Sequence, residues 1–285
     1  MEVDMSFTVT DFFKRFPTDD DCLDHLMSVR FGDSVECPKC HKVGKFSRVK
    51  KIPAYACAWC GHHIHPMAGT PFQASRTPLQ KWFYAMYLFT TSRHGVPAKE
   101  LQRQLGVTYK CAWRMGHEIR KYMAQVDGDD GLSGIVEADE AYIGGKGDDH
   151  QYRKRMTTVL GMVERGGDII TRVIPDTKVK TMIPHIQEHV AKGSTVTTDE
   201  LHAYKHVTRH GFKHTFVKHR YGEYVNGDAH TNTIEGFWSI LKRSIRGTHV
   251  WVSKKHMSKY LGEFEYRYNM RHVPELMFTR LLKAF

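Results

Sequence analysis

Three carboxylates that lie far apart along the chain could together support a metal-dependent reaction on phosphate. Asp139 lies in the apolar segment IVEADEAYI, Asp199 ends the segment STVTTD, and Glu235 begins the helical pattern of TNTIEGFWSILKR. Converging carboxylates repel one another unless cations neutralise them, and hard oxygen ligands favour Mg²⁺ or Mn²⁺. Two such ions about 3.5–4 Å apart suit phosphoryl transfer. If the fold brings the three carboxylates together, they would form a site for two Mg²⁺ or Mn²⁺ ions.

Neighbouring polar residues leave alternatives open. Alternation in a strand places Glu137 on the same face as Asp139 and Glu140 on the opposite face, so it does not choose between the first two. Lys242 follows Glu235 by seven residues, about two helical turns, and lies on nearly the same face. A lysine there would hold a phosphate beside the metal ions, although a solvated helix face and ordinary helix caps explain the same residue types.

A second constellation consists of the cysteine pairs Cys37/Cys40 and Cys57/Cys60, which sixteen residues separate. Two C-x-x-C pairs around a hairpin-like segment are typical of a zinc ribbon, in which four thiolates hold one structural Zn²⁺. With four sulfur ligands, no coordination position stays open for catalysis.

Composition and charge limit the class of protein. The chain has 285 residues, 41% hydrophobic and 26% charged, which is typical of a globular protein. It has no apolar run of the roughly 20 residues needed to span a bilayer, and its first residues lack the pattern of a secretion signal, so we expect a cytoplasmic protein without a membrane partner. Residues 36–126 contain 15 Lys and Arg against three Asp and Glu, a net charge of +12. Such a concentration favours nucleic acid as the partner.

The elements that position these residues follow from the apolar spacing. We predict an N-terminal helical segment at 1–33, the zinc ribbon at 34–70 and a helical region at 71–127, with a Gly/Asp-rich break at 128–134. Within the helical region, a helix, the turn at Gly106 and a second helix fit helix-turn-helix logic. From residue 134 to 285, three consecutive strands and then alternating helices and strands predict a mixed α/β sheet flanked by helices. If the first and fourth of these strands are neighbours, Asp139 and Asp199 face each other.

Candidate DNA contacts follow the basic blocks. In the ribbon and the second helix of the helix-turn-helix they are Lys45, Arg48, Lys50, Lys51, Tyr109, Lys110, Arg114 and Arg120. In the C-terminal part they are Asn232, Arg243, Arg246, Lys254 and Lys255. Basic side chains in these positions would bind phosphates of double-stranded DNA.

Taken together, these segments resemble the bacterial insertion-sequence DDE transposases of the ISXO type. The matching stretches occur in the same order as in the family and run from about residue 20 to 272: CPKC…CAWC, GTPF, PLQKWFYAMYL, VEADEAYIGG, TTDELHAY, HTNTIEGFWSILKRSIRGTHVWVS and KYLGEFEYRYNMR. The resemblance implies an RNase H-like catalytic domain behind the zinc ribbon and the helix-turn-helix region.

The resemblance also implies roles for individual residues. Asp139, Asp199 and Glu235 would be the catalytic ligands of two Mg²⁺ (or Mn²⁺) ions, with Lys242 as the accompanying basic residue. Since some relatives use Asn as the last ligand, Asn232 competes with Glu235. It implies a transposase that binds terminal inverted repeats, cleaves their 3′ ends and joins them to target DNA, as a homodimer or higher homo-oligomer. An RNase H-like nuclease or resolvase, and a DNA-binding regulator without catalysis, are the alternatives.

Overall fold

The computed structural model describes residues 7–32, 34–126, 131–144, 156–199, 201–217 and 230–285, and the chain forms two compact units. The first unit comprises Met1–Thr91, Ala98–Tyr122 and Val273–Phe285, and the second comprises Ser92–Pro97 and Met123–His272. Residues 128–130 of the predicted break at 128–134 lie outside the described residues. The sequence pattern also predicts a strand at 214–219, and its last two residues, 218 and 219, lie outside them too. None of the described helices is both long and apolar enough to cross a bilayer.

Helices α1 to α5 begin where the sequence provides the local signals. They cover Val9–Arg15, Asp19–Phe31, Leu79–Thr91, Ala98–Leu105 and Tyr109–Val126. Capping boxes start α1 and α2: the side chains of Thr8 and Thr18 accept hydrogen bonds from the backbone N–H groups of Asp11 and Asp21. Between α4 and α5 the backbone turns at Gly106, whose φ of 60° favours glycine. The expected helix-turn-helix is therefore present as α4, a short turn and α5.

The ribbon is a small antiparallel sheet. Its strands β1 (Phe46–Val49), β2 (Ala54–Cys57) and β3 (His63–Ile64) pair in that order, and Phe46 lies opposite Cys57. The hairpin expected between the two cysteine pairs is thus formed by β1 and β2.

The C-terminal segment belongs to the first unit, whereas the sequence pattern assigned it to the domain beginning at residue 134. After a 3₁₀ turn at Pro274–Leu276, helix α9 (Met277–Lys283) carries Phe278. The ring of Phe278 lies 5.7 Å from that of Phe16 and 6.1 Å from that of Phe83. Burial of aromatic rings at this spacing is a strong packing contribution, and it attaches α9 to the N-terminal helices.

A five-stranded mixed sheet forms the centre of the second unit. Its strands are β4 (Ile135–Ile143), β5 (Thr157–Glu164), β6 (Ile169–Ile174), β7 (Thr195–Thr198) and β8 (Lys213–Phe216), in the order β6-β5-β4-β7-β8. Strands β4, β5 and β6 are antiparallel, whereas β4, β7 and β8 run parallel. The first and fourth strands of this unit are therefore neighbours, as the candidate site requires, and the architecture is consistent with an RNase H-like fold.

Helices cover both faces of this sheet because apolar side chains alternate along its strands. One face packs Val136, Ala138, Leu160 and Met162 against α6 (Val179–His189) and the 3₁₀ helix His202–His210. The other packs Ala141, Ile143, Val159 and Val163 against α7 (Asn232–Ser244) and α8 (Lys254–Asn269). A π-helical turn, Ile245–His249, directly follows α7.

Candidate active site and metal centres

The four ribbon cysteines converge on one point of the first unit. Their sulfur atoms all lie within 4.8 Å of one another. Cys37 Sγ is 3.6 Å from Cys60 Sγ, and Cys40 Sγ is 3.8 Å from Cys57 Sγ. Tetrahedral zinc with Zn–S bonds of about 2.3 Å places its sulfur ligands about 3.8 Å apart. The observed cluster therefore fits one structural Zn²⁺.

The backbone conformation of both C-x-x-C turns suits thiolate ligands. The residues after each pair, His41 and Gly61, have φ of 57° and 70°, and their N–H groups return to the carbonyls of Cys37 and Cys57 at 2.9 Å. Burial opposes ionisation of Cys37, but hydrogen bonds from the backbone of Cys40 and Lys39 and from the neighbouring thiols of Cys60 and Cys40 together outweigh it and lower the pKa of this thiol to about 6. A thiol that ionises this readily is a competent zinc ligand at neutral pH.

The acidic site is formed at one end of the parallel pair β4 and β7. Glu137 lies opposite Thr197 in this pair, so Asp139 and Asp199 each stand two residues further along in the same register. Asp199 follows the last residue of β7 directly, and its Oδ1 accepts the N–H of Leu201 at 2.9 Å. The two aspartates that the sequence singled out are thus brought to the same level of adjacent strands.

Asp139 has a fixed neighbour on the face covered by α7. The indole Nε1 of Trp238 donates to Asp139 Oδ2 at 3.1 Å. The ring of Trp238 can approach because Gly161 lies directly opposite Asp139 on β5. A Cβ built on Gly161 would lie 2.5 Å from Trp238 Cζ2, a distance that real Cβ contacts do not show. The absence of a side chain at Gly161 therefore positions the indole on the aspartate.

The electrostatics of Asp139 place the other two acids close by. Burial raises the pKa of Asp139 to about 6, and the negative charges of Asp199 and Glu235 add to the increase. Hydrogen bonds from the backbone of Glu140 and from Trp238 oppose it. Asp139 is therefore exposed to the negative charge of both other acids, and bound divalent cations would relieve that repulsion.

Glu235 approaches from the first turn of α7, where its side chain is exposed. The hydroxyl of Thr231 donates to Glu235 Oε1 at 2.8 Å and so holds the carboxylate. Asn232, its rival as the third ligand, is the first residue of the same helix and is also exposed. Of the two, Glu235 carries the negative charge that helps to raise the pKa of Asp139.

Glu137 shares the face of Asp139 but is already satisfied by protein groups. It is 0% exposed, and Arg165 Nε lies 2.8 Å from its Oε1. The backbone N–H groups of Thr233 and Ile234 donate to its Oε2 at 2.9 and 3.1 Å. A carboxylate bound in this way is a structural group, which separates Glu137 from Asp139 where alternation did not.

Glu140 is a fourth carboxylate at the site, on the other face of β4. Burial and the charges of Asp199 and Asp139 raise its pKa to about 7, and the hydroxyl of Tyr204 donates to its Oε2 at 3.2 Å. Strand alternation correctly predicted that Glu140 and Glu137 lie on opposite faces of β4. It did not predict that Glu140 lies near Asp199, because that depends on where β7 ends. The segment DELHAY contained Tyr204, although nothing in its spacing linked that residue to β4.

The basic residues expected around DNA divide into exposed and buried ones. Arg120 is 3% exposed, and its guanidinium lies 4.9 Å from the centre of the Phe89 ring, so it packs inside the first unit and is unavailable to DNA. Arg48 forms an ion pair with Asp20 at 2.7 Å and donates to backbone carbonyls of its own hairpin. The remaining candidates of that unit are exposed: Lys45, Lys50, Lys51, Tyr109, Lys110 and Arg114.

In the second unit most of the corresponding side chains lie at or after the C-terminal end of α7, and Asn232 lies at its start. Lys242 is half-buried and, with Arg246, lines a small depression next to the end of β4. The other candidates are exposed: Asn232, Arg243, Lys254 and Lys255.

Comparison with known proteins gives two domain matches. Residues 131–269 match the ISXO2-like transposase domain, and residues 17–63 match the transposase zinc-ribbon domain. An uncharacterised protein in transposable element ISH50 of Halobacterium salinarum is 27% identical over 279 residues, covering 89% of this chain and 92% of that protein. An uncharacterised transposase-like protein of Haemophilus influenzae is 30% identical over 101 residues, covering 35% of this chain and 80% of that protein. The chain belongs to the ISXO2-like insertion-sequence transposases.

Proposed function

We propose that the protein binds the terminal inverted repeats of an insertion sequence, cleaves their 3′ ends by hydrolysis and joins them to target DNA by transesterification. The observation that carries this proposal is the pairing of β4 with β7, which brings Asp139 and Asp199 to one level of the sheet. Helix α7, which carries Glu235, contacts the same site through the hydrogen bond from Trp238 to Asp139. Membership of a transposase family implies DNA binding and supports an enzyme of the DDE type.

Asp139, Asp199 and Glu235 would hold two Mg²⁺ or Mn²⁺ ions. When bound, these ions supply activation of the attacking oxygen and stabilisation of the leaving oxygen. Trp238 and Thr231 fix the orientation of two of the three carboxylates, at 3.1 and 2.8 Å. Lys242 would hold a phosphate oxygen of the strand to be cut, because it lies two turns along α7 from Glu235.

DNA recognition is proposed for the first unit. The N-terminal part of α5 presents the exposed residues Tyr109, Lys110 and Arg114, as the second helix of a helix-turn-helix does in a major groove. The ribbon adds Lys45, Lys50 and Lys51. In the second unit, Asn232, Arg243, Arg246, Lys254 and Lys255 would contact terminal or target DNA. Because two ends are joined in one event, the active form would be at least a homodimer, acting in the cytoplasm.

The test uses the inverted repeats that flank the gene. The full-length protein is incubated with repeat-containing duplexes and Mg²⁺ or Mn²⁺, and 3′-end nicking and joining of pre-cut ends are measured. We expect Asp139→Asn to abolish both reactions while end binding is retained. Nicking without joining would reassign the protein as a nuclease or resolvase, and binding with no cleavage in Mn²⁺ would reassign it as a regulator.

A further inference from the structure

Two uncommon backbone features follow each other directly after α7. The π-helical turn Ile245–His249 is followed by a tight turn in which the N–H of Trp251 donates to the carbonyl of His249 at 2.7 Å. The enclosed residue, Val250, has φ of 64° and ψ of −49°, which is a γ-turn of the rare, strained type. A β-branched residue with positive φ is a conformational outlier. Such outliers cluster at functional sites.

The surroundings hold this turn in place. Ile245 before it and Val252 after it are buried in the core of the second unit. The ring of His249 packs edge-on against that of Tyr260, with 4.8 Å between the ring centres. Gly95 lies so close that an added Cβ would be 2.7 Å from His249 Nε2. The strained conformation is therefore imposed by packing on both sides of it.

The turn displays apolar side chains beside positive charge. Val250 is 79% exposed and Trp251 is 54% exposed, so the chain keeps two large apolar side chains in water. Trp251 lines the depression that also contains Lys242 and Arg246. Residues 142–144, at the end of the strand that carries Asp139, line it as well, together with Met156, Ile245 and Val250.

We propose that the exposed indole of Trp251, which together with the depression that it lines is named the Trp251 site, stacks on an unpaired nucleobase of the DNA strand whose phosphate enters the acidic site. The inference rests on the proposed function. An exposed indole offers a stacking surface worth about 1–3 kcal/mol for any base, which offsets part of the few kcal/mol that it costs to take a base out of the helix stack. Lys242 and Arg246 match the phosphates on either side of that base. Charge complementarity with a polyanion distinguishes this occupant from an apolar protein segment.

The experiment measures whether Trp251 and one nucleotide are energetically coupled. Full-length protein carrying Asp139→Asn, which prevents cutting, is titrated in Mg²⁺ with repeat-containing duplexes. Each duplex has an abasic nucleotide at a different position near the cut. We expect Trp251→Ala to weaken binding of the intact duplex about tenfold, and we expect that loss to disappear when the abasic nucleotide occupies one particular position. Trp251→Phe, which keeps a stacking ring, should bind nearly as well as the parent protein.

Trp113→Ala is the matched control, because it removes another exposed indole, on α5 of the first unit. Any loss that it causes should be the same for every abasic duplex. The proposal is overturned if Trp251→Ala causes no loss, or a loss that no abasic position removes. Cleavage by the protein with Asp139 intact then separates the two proposals. If that protein cleaves its ends, a negative binding result rejects the Trp251 site alone. If it does not cleave them, the proposed function is rejected.

Discussion

Glu137 Oε2 lies 2.9 Å from the backbone nitrogen of Thr233, so a residue of β4 caps helix α7. The helix's own N-cap residue, Thr231, makes no side-chain cap bond, and its hydroxyl donates to Glu235 instead. A buried carboxylate next to a helix N-terminus is favoured both by the orphan N–H groups and by the helix dipole. Glu137 therefore fixes the start of the helix that carries Glu235.

Replacing Glu137 tests this positioning role. Glu137→Gln removes the charge that Arg165 and the start of α7 share, and charge-assisted hydrogen bonds contribute about 1.5–3 kcal/mol each. We expect a folded protein whose affinity for Mn²⁺ at the acidic site falls about tenfold or more. The measurement is direct titration of Mn²⁺ binding by electron paramagnetic resonance, supported by the Mg²⁺ concentration for half-maximal cleavage.

Glu265→Gln provides the matched control for that experiment. Glu265 is also a buried carboxylate that joins a helix to the sheet, since it accepts hydrogen bonds from the backbone N–H and the hydroxyl of Thr171. Its removal should lower the midpoint of thermal unfolding and leave Mn²⁺ affinity unchanged. Equal losses of Mn²⁺ affinity in the two variants would show that Glu137 only stabilises the fold.

Replacing Gly161 tests the packing that holds Trp238 against Asp139. A methyl group there meets Trp238 and Ile234, so Gly161→Ala should displace the indole from Asp139 and destabilise the protein by about 1–3 kcal/mol. Urea unfolding measures the loss, and cleavage should fall with it. Gly236→Ala, in α7 with nothing within 4 Å of the added carbon, should be neutral or stabilising. A stable and fully active Gly161→Ala variant would contradict the packing described.

The raised pKa of Asp139 gives stability a pH dependence with a defined sign. Burial, together with the charges of Asp199 and Glu235, moves this pKa from 3.8 to about 6. The contribution to folding is fully present below the unfolded pKa and is lost as pH rises to about 6. Without added Mg²⁺, wild-type stability should therefore fall relative to Asp139→Asn between pH 4 and 6 and then level off. Urea unfolding of both proteins across this range checks it, and parallel pH curves would refute the assignment.

Removal of zinc should affect the first unit selectively. Cys57→Ser leaves three thiolates, so we expect loss of the bound Zn²⁺ and of end-DNA binding, with Mn²⁺ binding in the second unit retained. Metal analysis of the purified protein should give one zinc per chain for wild type. Cys111→Ser, which changes a half-buried thiol outside the cluster, should keep that zinc. A Cys57→Ser protein that still binds its DNA ends normally would rule out a structural role.

Salt dependence separates DNA contacts from packing on α5. Lys110→Ala should weaken DNA binding similarly for all sequences and reduce the slope of log K against log salt concentration by about 1. Arg120→Ala should leave that slope unchanged and lower thermal stability, because the buried guanidinium packs over Phe89. The reverse result, a slope that responds only to Arg120, would overturn the helix orientation described here.

Local patterns predicted what local physics determines. The cysteine spacing was sufficient to predict the zinc cluster, and runs of alternating apolar residues predicted the strands β4 and β7, but their adjacency entered only as a condition for the acidic site. That adjacency is confirmed, and it brings Asp139 and Asp199 to one level of the sheet. Strand periodicity also predicted that Glu140 lies on the opposite face of the strand from Glu137.

Contacts between distant segments were beyond those patterns. Glu137 and Asp139 have the same periodicity, and only the position of α7 decides which of them is buried. Arg120 and Lys110 lie on the same basic helix, but the ring that covers Arg120 comes from α3. The attachment of α9 to the N-terminal helices likewise depends on aromatic rings more than 190 residues apart in sequence.

The return of Val273–Phe285 to the first unit has a consequence for biosynthesis. Because a ribosome makes the chain from its N-terminus, every residue of the second unit is polymerised before Phe278 can reach the rings of Phe16 and Phe83. The unit that carries the zinc ribbon and α5 can therefore complete its core only after translation has passed Glu235 and reached Phe278. A nascent polypeptide stalled before that point would lack the completed core of the unit for which DNA recognition is proposed.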